Sequence, residues 1–375
     1  MRRTVSLSAP LRDLEIAERP GYRRRSVAAL LIALLLPAGA AAGPATGLDH
    51  PFPPLRGEAP TVERVALGRA LFFDPILSRD RDLSCAHCHQ PGHGLADGLP
   101  RARGRGGRAL RRNTPGLYNV GYKARLFWDG RAPDLESQVL GPLLSPDEMA
   151  ADPVQVVERL RAIPAYRDGF ARAFPEAGDD AVSLDSLARA LAAFERILVS
   201  QDSRYDRYAA GDRSALSESE RRGLTLLRSL NTRCFECHPP PTFDVPHATG
   251  IGVPGDDDGA GGVEGIAERR GFFQVPSLRN VARTAPYMHD GSLKTLDEVV
   301  RFYAQGGGRA HGVDPARIDD QIRPFSLRDS EVADLVAFLG SLTDESASPS
   351  VPDSVPSGLP VLERRSATRT SESQP

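Results

Sequence analysis

Cys85-Ala86-His87-Cys88-His89 returns 149 residues later as Cys234-Phe235-Glu236-Cys237-His238. In a C-x-x-C-H pentad the two thiols are spaced to add across the two vinyl groups of a haem, and the histidine that follows can reach the iron from one face. The two pentads use all four cysteines of the chain, which leaves none for a disulfide or a thiol nucleophile. The spacing predicts two covalent c-type haems, attached through Cys85 and Cys88 and through Cys234 and Cys237, with His89 and His238 as iron ligands. A four-cysteine zinc knot shares the C-x-x-C spacing, but it explains neither the histidine after each pair nor the export signal described next.

The chain has 375 residues, 40% of them apolar, and a formal charge of -2. That length allows two domains, and nothing in the composition points to nucleic acid. Residues 1–42 carry a basic Arg23-Arg24-Arg25, an apolar run from Val27 to Leu36 and small residues at Ala38, Ala40 and Ala42. This is the pattern of a secretory signal peptide. The apolar run is short for a bilayer span, so no stable membrane span is expected in the mature chain, although an uncleaved leader would act as an anchor. Either way the folded part is expected in the periplasm, where c-type haem is normally attached. The leader holds seven arginines against Asp13, Glu15 and Glu18, so the remainder carries a charge of -6.

Residues 43–60 are rich in Pro and Gly and read as an extended lead-in. Val62, Val65, Ala66 and Phe73 recur at helical spacing and predict a helix leading into the first pentad. Residues Ser217 to Leu227 approach the second pentad in the same way, with Arg222-Gly223-Leu224 echoing Leu67-Gly68-Arg69. A closing apolar stripe follows each pentad, through Leu184, Leu187, Ala188, Leu191, Glu195 and Leu198, and through Val332, Leu335, Val336 and Leu339. The pattern predicts an internal duplication: one haem domain over 61–205, a second over 206–345, and a disordered Ser- and Pro-rich tail over 346–375.

Several motifs in one order resemble the bacterial di-haem cytochrome c peroxidases and their MauG-like relatives. They are Leu67-Gly68 through Phe72-Phe73-Asp74-Pro75, Leu77-Ser78, Ser84-Cys85, Phe127-Trp128-Asp129-Gly130-Arg131, Pro276-Ser277-Leu278-Arg279-Asn280 and Thr284-Ala285-Pro286-Tyr287. The resemblance implies a mainly α fold of two cytochrome c-like domains packed face to face, hydrogen peroxide as oxidant, and electron exchange between the haems. In the classical peroxidases a loop past the first pentad supplies a distal histidine. Here that stretch, Gly98 to Arg112, holds six arginines and no histidine. His93 lies only four residues beyond His89, too short a tether to reach the opposite face of the iron. An open first haem is therefore expected. The arginine-rich loop itself reads as a solvated, mobile surface, with a docking patch for an acidic partner as the alternative. His87, inside the pentad, reads as a spacer.

By register from Trp128, the resemblance places the pocket glutamine at Gln138, a pocket proline at Pro142 and the pocket glutamate at Glu148. Glu148 has a competing local reading, because Ser145-Pro146-Asp147-Glu148 is also a capping box. Trp128 matches the tryptophan between the haems, against the plainer role of core aromatic. Asn113 matches a calcium ligand, as do the carbonyls of Thr284 and Pro286, although Asn before Thr-Pro is also a common turn.

Thr295 and Glu298 form a capping box, and Leu296, Val299, Val300 and Tyr303 then share one helical face, with Gly306-Gly307-Gly308 ending the helix. Tyr303 occupies the register at which classical peroxidases carry Met and MauG-like members carry Tyr. A thioether favours reduced iron, whereas a phenolate favours the ferric state. Met288 and His289 are rival ligands, a buried core role is the plain alternative, and His247 and His311 read as structural or surface residues. The expected function is a periplasmic di-haem peroxidase of MauG-like type, taking electrons from a small cytochrome or copper protein or from a protein substrate. The competing class is a non-enzymatic electron carrier with both haems six-coordinate.

Overall fold

The computed structural model describes residues 51–361. The expected signal peptide and the first part of the lead-in lie outside the described residues, as does the end of the tail. The helices are α1 (Val62–Phe73), α2 (Cys85–Cys88), α3 (Leu135–Leu144), α4 (Pro153–Ala162), α5 (Pro164–Ala173), α6 (Leu184–Arg196), α7 (Arg204–Ala209), α8 (Glu218–Leu227), α9 (Gly259–Glu264), α10 (Leu296–Ala304) and α11 (Asp329–Ser341). The strands are β1 (Ala248–Gly250) and β2 (Phe272–Gln274), paired antiparallel. The fold is mainly α, as expected, and none of the described helices is long and apolar enough to cross a membrane.

Two hydrophobic cores repeat one design. In the first, α1 crosses α6 and Phe72 meets Phe194 edge-on at 5.1 Å. In the second, α8 crosses α11, and Tyr205 meets Phe243 at 5.1 Å and Phe338 at 5.8 Å. Each crossing is closed by a glycine. A Cβ at Gly68 would fall 1.9 Å from the Ala190 carbonyl oxygen, and one at Gly223 would fall 2.0 Å from that of Asp334. Helix backbones pack this closely only where no side chain intervenes. The first core takes in Leu198, and the chain then passes to Tyr205 in the second.

The buried face of α1 differs from the one expected. Val62 is 81% exposed, and the buried residues are Arg64, Leu67, Gly68, Leu71, Phe72 and Phe73. The glycine contact fixes the rotation of the helix. Arg64 tolerates burial because it donates to the Ala173 carbonyl, pairs with Glu58 and Glu176 and lies over the Phe174 ring.

The expected disorder of the tail does not extend over residues 346–361, which form a strap along the first core. Val355 is buried, with Ala347, Val351 and Leu359 packed beside it. The buried Asp74 carboxylate accepts from the Ser357 hydroxyl at 2.6 Å, from the Ser357 N–H at 3.2 Å and from the Tyr166 hydroxyl at 2.6 Å. Composition hid an apolar residue at every fourth position, Val351, Val355 and Leu359. Truncation after Glu345 is expected to destabilise the holoprotein by about 3–5 kcal/mol, combining one lost valine burial with one lost hydrogen bond to a buried carboxylate. An unchanged denaturant midpoint would show that the strap contributes nothing.

Candidate haem and peroxide site

Each pentad is built to present an imidazole. The His89 Nδ1–H donates to the Leu95 carbonyl at 2.8 Å, and the His238 Nδ1–H donates to the Phe243 carbonyl at 2.8 Å. Both accepting residues have left-handed backbones, Leu95 with φ 62° and Phe243 with φ 54°. This conformation is uncommon outside glycine, and here it turns the carbonyl towards the ring. Burial lowers the pKa of both histidines, which favours the neutral imidazole that can bind a metal. Orientation of a ligating histidine by a hydrogen bond on its other nitrogen is the usual arrangement. All four cysteines are free thiols. The donor set therefore fits two c-type haems. His87 does more than space the motif, since its Nδ1 accepts from the Ser84 N–H at 2.9 Å and closes the turn of α2.

One cavity of about 720 Å³ is lined from both halves of the chain, by Cys88 and His89 on one side and Cys234, Cys237 and His238 on the other. Trp128, Gln138, Pro142, Glu148, Asn113, Thr284, Pro286 and Tyr303 also line it. The structure thus brings the expected site residues to one space, except Cys85, which is half-buried and packs against the first core. His93 is exposed on the surface and does not line the cavity. His247 and His311 are likewise exposed.

Trp128 sits in a tight turn whose flanking residues Leu126 and Ala132 pair as a bridge. Its Nε1–H donates to the Asn113 carbonyl at 2.9 Å. The Asn113 N–H donates to the His289 carbonyl at 2.7 Å, and its Nδ2 donates to the Leu99 carbonyl at 2.8 Å. Asn113 is therefore a buried hub between distant segments and not a local turn residue.

The cap reading of Glu148 is overturned. Residues 146–149 form turns, and the next helix, α4, starts at Pro153 with Asp152 accepting from the N–H groups of Val154 and Gln155. Glu148 is free to face the cavity. Burial raises its pKa, against the opposing pulls of a Ser145 hydrogen bond and the Arg131 charge.

Tyr303 projects from the cavity face of α10, whose Thr295–Glu298 capping box is present. Burial, followed by the nearby Cys237 and Cys234, raises the pKa of its phenol, which sets it beside the second pentad. The rivals Met288 and His289 also line the cavity, but the His289 ring stacks on Phe273 at 3.8 Å. The charges around His289 are Asp290, Asp257, Arg112 and Arg101.

The arginine-rich loop is mostly exposed, as a solvated surface would be, and its arginines form ion pairs. Arg105 pairs with Asp80 at 2.5 Å and Arg108 with Asp147 at 2.5 Å. Arg112 joins the two halves, reaching Asp129 at 2.6 Å and Asp257 at 2.7 Å. Against the upward push of burial, the Arg112 guanidinium holds the Asp257 carboxyl well below the usual carboxylate range. Sequence reasoning missed Arg112 as a clamp because its two acids lie 17 and 145 residues away. Glu195 was legible only as a lone acid on an apolar stripe.

A family model described as di-haem cytochrome c peroxidase matches residues 62–214. The methylamine utilization protein MauG of Methylorubrum extorquens is 40% identical over 296 residues, covering 78% of this chain and 81% of that protein. The cytochrome c551 peroxidase of Pseudomonas aeruginosa is 36% identical, covering 80% of this chain and 85% of its own. Among solved structures, a MauG-like protein associated with microbial copper homeostasis superposes with a TM-score of 0.75 at 35% identity, over 80% of this chain and 97% of that one. The diheme peroxidase BthA from Burkholderia thailandensis gives a TM-score of 0.68 at 30% identity, over 80% of this chain and 90% of that one.

Proposed function

We propose the roles of individual residues from the premise that this chain belongs to the di-haem cytochrome c peroxidase family. The protein is a di-haem peroxidase of MauG-like type, with two c-type haems. Haem iron supplies the place where peroxide oxygen binds and the store for its oxidising equivalents. His89 would hold the iron at which peroxide reacts, and His238 with Tyr303 the second. Gln138, whose amide exchanges no proton at neutral pH, would orient the peroxide by hydrogen bonding. Glu148 would take the proton from one peroxide oxygen and return it to the other, which must leave as water. Pro142 shapes the wall beside them. Trp128, hydrogen-bonded to Asn113, would carry electrons between the two haems.

The observation that supports this reading best is a single cavity shared by both pentads, with Gln138, Glu148 and Trp128 on its wall and no histidine from residues 98–112. Electrons would come from a small cytochrome or copper protein, or from a residue of a protein substrate, with Tyr303 favouring the latter. Residues 1–42 would direct the chain to the periplasm. A calcium ion held by Asn113 and the carbonyls of Thr284 and Pro286 would order the region between the haems.

Low-temperature electron paramagnetic resonance of the fully ferric protein tests the assignment. One high-spin and one low-spin haem are expected, with the high-spin signal lost on adding peroxide. Two low-spin haems would mean that a further ligand closes the first iron. Chelation is expected to perturb both the spectrum and peroxide turnover, and no change in either would remove the calcium site.

A further inference from the structure

Glu195 is unlike every other residue on the wall of this cavity. It projects from the apolar stripe of α6, is only 4% exposed, and lines the cavity. Its Oε2 is buried with no hydrogen-bond partner, in an interior where nearly all such atoms are bonded. The neighbouring cation is already engaged, because the Arg196 Nη2 reaches both carboxylate oxygens of Glu136 at 2.6 and 2.7 Å and its Nε donates to the Arg56 carbonyl. Burial outweighs the residual pull of Arg196 and pushes the Glu195 carboxyl up to about 8, with Glu136 adding to the rise. At neutral pH it is a carboxylic acid with a proton to give. A leucine would complete the stripe without leaving a polar atom unbonded, so packing does not account for the acid.

The direction of the acid is set by its neighbours. Helix α6 packs on α3, the helix of Gln138 and Pro142, and Glu195 acts electrostatically on Cys85. A thioether formed on that thiol would offer Oε2 no proton donor. A small polar molecule within the cavity would satisfy it.

We propose that Glu195 is a second proton donor of the peroxide site, acting through a cavity water and separate from Glu148. The inference rests on the peroxidase reading above. Reduction follows H2O2 + 2 H⁺ + 2 e⁻ → 2 H2O, with the electrons coming from the external donor. Glu148 only moves a proton from one peroxide oxygen to the other, so both added protons must enter from elsewhere. The Glu195 O–H bond breaks to give one of them to the water, which passes a proton to the second peroxide oxygen as the donor's electrons reduce it to water; the other added proton enters from solvent, which also reprotonates the carboxylate.

The test is reduced-minus-oxidised infrared difference spectroscopy of the holoprotein in H2O and D2O, beside steady-state peroxide turnover with an artificial electron donor. A protonated-carboxyl band that shifts in D2O is expected in the unsubstituted protein and in Glu148→Gln, and is expected to vanish in Glu195→Gln. The same isosteric variant should keep both haem spectra while turning over peroxide roughly a hundredfold more slowly, at the low end of a proton-transfer contribution. Persistence of the band in Glu195→Gln, or an unchanged peroxide rate, would overturn the proposal. Failure of the peroxidase reading would look different, since the unsubstituted protein would then not react with peroxide while the band remained.

Discussion

Replacing Glu148 by Gln is expected to slow the reaction of the ferric protein with hydrogen peroxide roughly a hundredfold, within the usual range for a positioned acid–base group. The amide keeps the shape and a hydrogen bond but accepts no proton at neutral pH. Glu148 lies on a turn between α3 and α4 and caps no helix, so the substitution should leave both haem spectra and the denaturant midpoint nearly unchanged. The pH profile carries a second mark of the same role. Burial raises the Glu148 pKa despite the Ser145 hydrogen bond and Arg131. Below that raised value the carboxyl is already protonated and cannot accept from peroxide. The rate of the unsubstituted protein should therefore rise with pH through a limb placed above the ordinary carboxylate range, and the limb should flatten in Glu148→Gln. Stopped-flow rates across pH measure both effects, and a full rate with the limb intact would leave Glu148 as a bystander on the cavity wall.

The parts of this molecule legible in the sequence are those written in short range. The pentads have a spacing that haem chemistry dictates, and α10 announces itself through Thr295, Glu298 and its closing glycines. The echo of Gly68 in Gly223 marked the duplication, and in the structure both glycines close a helix crossing. Where local pattern and tertiary contact disagreed, contact decided. Val62 and Ala66 fitted a helical stripe, yet Gly68 against Ala190 rotates α1 so that Arg64 is inside. Ser145 and Glu148 fitted a capping box, yet no helix begins there. The Ser- and Pro-rich tail fitted disorder, yet Asp74 and Ser357 hold it as a strap from 283 residues away. The left-handed turns at Leu95 and Phe243 have no sequence signature, because neither residue prefers that conformation, although each sets the orientation of a pentad histidine.

Long-range polar contacts also account for how the two halves are held in one electronic unit. The chain from Trp128 Nε1 to the Asn113 carbonyl, and from the Asn113 N–H to the His289 carbonyl, links the indole to the second half through two hydrogen bonds. Arg112 reinforces the same seam by pairing with Asp129, next to Trp128, and with Asp257. The only tryptophan in the chain is thus fixed at a junction that both halves supply. Electron transfer through Trp128, as proposed above, would then run through a side chain held by a hydrogen bond.

Loss of the phenol in Tyr303→Phe is expected to convert the second haem from low-spin to high-spin and to raise its reduction potential by on the order of a few hundred millivolts, a sizeable part of the span that axial ligands control. The phenylalanine ring fills nearly the same space on α10, so the Leu296, Val299 and Val300 face should pack as before. What disappears is an anionic oxygen. Burial, then Cys237 and Cys234, raises the pKa of the Tyr303 phenol, so the side chain would stay protonated unless a strong local cation favoured the phenolate. A ferric iron held by His238 would provide that cation, and the phenolate would in turn stabilise the ferric state over the ferrous one. Removing it leaves the more reduced state favoured, which is why the potential rises. Oxidising equivalents delivered through Trp128 would then be held at higher energy, and their lifetime at the second haem should shorten. Electron paramagnetic resonance and a spectroelectrochemical titration of Tyr303→Phe read the two quantities directly. A low-spin second haem with its potential unmoved would assign the ligand to another residue, with Met288 the next cavity-lining candidate to substitute.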